Sequence, residues 1–179
     1  MSNTNVKWVL DPTHSEIVFK VKHLMISNVK GEFRSFSGEV SGEDFTTSPI
    51  QLKIDTSSIF TNEDSRDAHL KGSDFFNVEE FPSIDFVSTS MKKMDGDTYQ
   101  LQGNLSIKGA THPITLQAEF GGTGKDPWGN EKAAFSVGGK IKRSEWGLNW
   151  NAALEAGGVL VSDEVRIQAE IQLVKQVTA

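Results

Sequence analysis

Cysteine is absent from the 179 residues, which excludes a disulfide framework, a thiol nucleophile and a thiolate metal site. Net basicity is absent too. Eighteen Lys and Arg stand against 24 Asp and Glu, for a formal charge of −6. Such a chain lacks the cationic footprint that a nucleic-acid backbone requires, so no nucleic-acid partner is expected. Stable membrane attachment or insertion is disfavoured on the same ground. Apolar runs never exceed three residues, as at Val159-Leu160-Val161, far short of a membrane-spanning helix. The stretch from Met1 to Lys7 has no apolar core of a secretory signal. The chain as it stands reads as cytoplasmic, or periplasmic if it is a trimmed mature form. Its length suits one domain over residues 1–179, large enough to bury a core without staples. No internal repeat, linker or low-complexity segment divides it.

What is present is period-two alternation. Ile17, Phe19 and Val21 alternate with Val18, Lys20 and Lys22, and the pattern returns near 50–55, 84–89, 99–107, 114–120, 135–141 and 163–173. Residues 31–40 are β-like with an ambiguous register. One wet face and one dry face mark antiparallel sheet. Asp95-Gly96 is a hairpin signal, and Gly121 to Pro127 reads as a flexible loop. At least eight strands result, too many for one flat sheet, so the expected fold is all-β and closed into an antiparallel barrel. A sandwich is the rival. Residues 62–80 break the alternation and predict a short helix near 63–71, stopped by Gly72, then a turn of helix near 73–77. On that helix Arg66 is spaced to pair with Glu63, and Asp67 with Lys71. Residues 143–158 form a long connection, the kind of segment that often carries function.

The dry faces carry small residues part-way along: Gly103, Ala118, Gly139 and Ala169. A small barrel is either filled by its side chains or holds one ligand. Strands of nine to eleven residues, roughly 30–37 Å at 3.3–3.4 Å per residue, are long for a barrel that only fills itself. The expected lining is Phe19, Val21, Leu52, Ile54, Phe86, Leu101, Leu105, Leu116, Phe135, Ile167 and Ile171, with Trp146 beside it and the four small residues opening the lumen. Arg66 and His69 are the candidates to hold a head group. Burying ten carbons yields about 8 kcal/mol against an association cost of roughly 4–15 kcal/mol, so the ligand needs a chain well beyond ten carbons.

Signals for chemistry are weak. His14, His23, His69 and His112 lack metal-ligand spacing, no Gly-x-Ser-x-Gly elbow occurs, and the 121–125 glycines lack phosphate-loop spacing. No catalytic residue, metal or cofactor is expected. Two alternatives stay open: an enzyme using Arg66, Asp67 and His69 at the barrel mouth, and a filled barrel serving as an interaction scaffold.

Several blocks together resemble one family. They are Trp8 through Leu24 with Asp11-Pro12-Thr13-His14-Ser15, Val29 through Phe33, and Phe36-Ser37-Gly38. Asn62 through Phe76 is the most specific, followed by Phe81-Pro82-Ser83-Ile84, Leu105 through Ile114, and Arg143 through Leu148. In this order they are similar to the YceI-like family. The resemblance implies a lipocalin-like barrel that binds polyisoprenoid, quinone-type or other long-chain amphiphiles. It also implies a homodimer and, for many members, export. It carries over no catalytic residue.

Overall fold

Alternation becomes pairing along almost the whole chain. The computed structural model describes residues 5–24, 26–151 and 161–178. Within them lie strands β1 (Asn5–Leu10), β2 (Glu16–His23), β3 (Ser27–Phe33), β4 (Phe36–Val40), β5 (Ile50–Asp55) and β6 (Ile59–Phe60). Helix α1 (Asp64–Lys71) follows, then β7 (Ser83–Asp95), β8 (Thr98–Ile107), β9 (Ala110–Lys125), β10 (Glu131–Lys142) and β11 (Val161–Thr178).

The six short strands are halves of three long staves. β1 continues into β2, β3 into β4 and β5 into β6, each across a brief break. The halves pair in matching order: β2 with β3 and β1 with β4, then β4 with β5 and β3 with β6. From β5 the sheet runs through β7, β8, β9 and β10 to β11. The long β11 then takes β2 along its first half and β1 along its second. The described residues thus form a closed antiparallel barrel of eight staves, and the sandwich alternative falls.

The first break is built by Asp11. Its carboxylate accepts from the Thr13 hydroxyl at 2.7 Å and amide at 3.1 Å, from His14 Nδ1 at 2.8 Å and from Lys132 Nζ at 3.3 Å. The Thr13 hydroxyl does most to hold this carboxyl well below the ordinary carboxylate range; partial burial opposes it, and His14 and Lys132 add to it. A lowered acid stabilises the fold fully above its unfolded value, about pH 4, and loses that contribution as pH falls toward the folded value. Asp11→Asn should therefore be less stable at neutral pH and show a flatter acid limb. Thermal midpoints of both proteins between about pH 5 and pH 2 check this.

Two local expectations need correction. Residues 73–80 are hydrogen-bonded turns and not a second helix: the amides of Phe75 and Asn77 bond to Gly72 O, and that of Phe76 to Leu70 O. The glycines 121–124 lie inside β9, because its ladder with β10 runs on to Lys125 opposite Glu131 through a bulge at Ala134/Phe135. The turn itself is 126–130, where the Asp126 carboxylate accepts from the Trp128 and Asn130 amides, each at 2.9 Å. The hairpin signalled by Asp95-Gly96 forms with its turn one residue on, at Gly96-Asp97: Asp95 lies opposite Thr98 and Gly96 has φ 54°.

Candidate ligand-binding cavity

The inward residues stack in cross-strand rows. Tyr99, Ala118, Val137, Ala169, Ile17 and Phe33 form one row across six staves. The next holds Leu101 and Leu116, then Gly139, Ile167, Phe19 and Gly31. Between them runs a cavity of about 540 Å³, within the usual range for ligand pockets of roughly 300–1,000 Å³.

The two ends differ. At the β1 end, Phe45 packs on Trp8 at 5.0 Å and edge-on to Phe135 at 4.9 Å, and Phe120 meets Phe135 at 5.1 Å between ring centroids. This is an aromatic floor. At the α1 end the lining turns polar, with Thr61, Ser65, Arg66, His69, Arg143 and His23. Glu39 and Gln51 also border the cavity, but their register puts them on the outer face.

Glu63 caps α1 by accepting from the Ser65 hydroxyl and amide, which lower its carboxyl below the ordinary value, the hydroxyl most. That leaves the expected ion pairs unmade. Arg66 donates instead to the Thr61 hydroxyl at 2.8 Å and carbonyl at 2.6 Å. Asp67 is buried and accepts from the Thr61 amide and hydroxyl. Local burial wins over helix-surface pairing because Asp67 turns onto Thr61 and out of solvent. His69 bonds Asp74 at 3.2 Å and stands edge-on to Phe75 and Trp150. Arg66, exposed, and His69, half-exposed, therefore both sit on the cavity rim.

Of the expected wall residues, Phe19, Val21, Leu52, Ile54, Phe86, Leu101, Leu105, Leu116, Ala118, Phe135, Ile167, Ala169 and Ile171 border the cavity. Gly103, Gly139 and Trp146 do not. A Cβ at Gly103 would run into the Phe86 ring, and one at Gly139 would meet Leu116. These glycines accommodate large neighbours, so they do not open the lumen. Of the four small residues, the two alanines border the cavity. Trp146 is 1% exposed, donates to the Leu105 carbonyl at 2.8 Å and faces His112 edge-on, so it packs in the core.

This barrel has known relatives. A YceI-like domain model matches residues 8–173. The chain belongs to the YceI-like family. UPF0312 proteins of Staphylococcus epidermidis and Staphylococcus aureus are each 39% identical, over 93% and 92% of this chain and 96% and 95% of their own. The crystal structure of the Campylobacter jejuni YceI protein matches with TM-score 0.71 at 32% identity, covering 86% of this chain and 88% of that one. Burkholderia cenocepacia BcnA shares the fold at TM-score 0.79 and 23% identity, over 91% of this chain and 98% of its own. So does a polyisoprenoid binding domain of Saccharophagus degradans, at TM-score 0.71 and 16% identity, covering 93% and 97%.

In this YceI-like barrel the residue that sequence reasoning missed is Arg143. It is 5% exposed and borders the cavity. Its Nε donates to Ser162 O, its Nη1 to Leu148 O and Trp150 O, and its Nη2 to Val161 O. Burial presses this guanidinium below its ordinary value, and the charge of Asp163 counters that. Arg143 thus ties residues 148–150 to 161–162 and sets a positive charge against the apolar lumen. The signal was its place beside Trp146 in a non-alternating segment, but nothing local told that it turns inward. Residues 152–160 of the long connection lie outside the described residues.

Proposed function

We propose that this barrel binds one long apolar chain in its interior and carries or sequesters it without chemical change. The observation that supports this most is an apolar cavity of about 540 Å³, with an aromatic floor at one end and polar side chains gathered at the other. Floor and rim give the ligand a direction: tail toward Phe45 and Phe135, polar head toward Arg66, His69 and Arg143. At about 30 Å³ for a water-sized group, the cavity accommodates on the order of fifteen to twenty carbons. A longer isoprenoid would emerge past α1. The polyisoprenoid binding described for the Saccharophagus degradans domain supports the same ligand class.

The test is extraction of natively purified protein into organic solvent, followed by mass spectrometry. One lipid per chain, with an acceptor-bearing head and a long apolar tail, is expected. An empty extract together with no retention of a fluorescent fatty acid overturns the reading. Turnover of bound lipid that His69→Ala abolishes overturns its non-enzymatic part. The same preparation on a light-scattering column checks our expectation of a homodimer.

A further inference from the structure

The chain is acidic overall, yet its register gathers cations on one patch of the outer wall. Lys140 lies directly opposite Arg166, Arg166 opposite Lys20, and Lys20 opposite Lys30. All four are exposed. Like charges placed directly across a ladder destabilise a sheet, so this row is a cost to the fold. Glu164 reaches Lys140 and Arg166 only at 4.0 Å. Among the described residues no carboxylate forms an ion pair with Lys20 or Lys30. Lys22 adds a fifth exposed cation on the same hairpin.

That hairpin ends in exposed apolar residues: Leu24 is 41% exposed and Ile26 is 85% exposed. Just below the tip, Val21, His23 and Val29 border the cavity, as does Val161 opposite His23. The tip also stands at the polar end of the barrel, because β10 finishes there and leads into Arg143. An apolar tip, a cationic row behind it and a lumen lined beside it thus coincide.

We infer that the β2–β3 tip docks transiently on an anionic lipid surface and that the ligand passes between bilayer and lumen there. This rests on the lipid-binding reading above. The geometry suits such contact. Leu24 lies four positions on from Lys20, about 13 Å at 3.3–3.4 Å per residue. Seating the tip roughly 5–10 Å deep brings the row within a Debye length, about 8–10 Å, of the lipid phosphates. The formal charge of −6 keeps the docking reversible.

The experiment is co-sedimentation of the full chain with phosphatidylglycerol vesicles and with phosphatidylcholine vesicles, at low and high salt. Binding to the anionic vesicles alone, weakened by salt, is expected. At about fivefold per cation, Lys20→Gln with Arg166→Gln should lower the partition coefficient roughly 25-fold. Leu24→Ser with Ile26→Ser should slow transfer of a fluorescent fatty acid from vesicles to protein. Both variants should bind that probe normally when it is added from solution. Equal binding to both vesicle types overturns the inference, as does unchanged partition of the charge variant. Retention on single-stranded DNA with none on vesicles also overturns it, in favour of a different polyanion. Failure of the dissolved probe to bind the parent protein would instead defeat the cavity reading, independently of where the protein docks.

Discussion

Phenylalanine at both Ala118 and Ala169 is expected to abolish lipid retention while the barrel survives. The two alanines flank Val137 in a single cross-strand row, and both border the cavity. Each contributes only a methyl group to the cavity wall. Two rings projecting there fill the space that a chain must thread. Overpacking costs about 1–3 kcal/mol per site, and about 2–4 °C of Tm per kcal/mol in a domain of this size. Thermal melting therefore tells a filled barrel from an unfolded one. Retention of a fluorescent fatty acid, measured by titration, should drop to background. A folded double variant that still binds the probe at parental affinity would defeat the internal site. Gly103→Ala has a different expected signature: the new Cβ presses on the Phe86 ring, so stability falls before the lumen changes.

Arg143→Met should destabilise the fold by about 3 kcal/mol, a large loss for a single substitution. The side chain satisfies four carbonyls drawn from two stretches of chain. Methionine keeps the stem and removes every donor; Val161 O still accepts from Asn151 Nδ2 at 2.6 Å, while the other three carbonyls lose this partner. Tm should fall by roughly 6–12 °C. Arg143→Lys should not restore it, because one ammonium cannot reproduce the planar fork that reaches four separated oxygens. A Met variant melting within a degree or two of the parent would show that water replaces the guanidinium freely, and that Arg143 is not what ties the connection down.

Much of the barrel was legible in the alternation, since a strand with one buried face must declare it every second residue. The helix was legible too: it was expected near 63–71 with Gly72 as its stop, and it spans Asp64–Lys71 with Gly72 as its C-cap. Errors came where a partner outside the segment's own pattern decided the outcome. Gly121 to Gly124 look like a loop by composition, but the facing β10 ladder holds them extended. Arg66 and Asp67 look like a surface pair-forming set, yet Thr61 takes both.

The four small inward residues show the division most clearly. Their positions on the dry faces could be read directly, and with them the closed antiparallel architecture and an apolar interior. Whether each one leaves space or is occupied by a neighbour could not, because that depends on which side chain lies across the ladder. Phe86 and Leu116 occupy the room at Gly103 and Gly139, whereas Ala118 and Ala169 border the cavity. Alternation is a property of a single strand and survives in one dimension. A void is a property of facing side chains, so only the packed barrel could decide it.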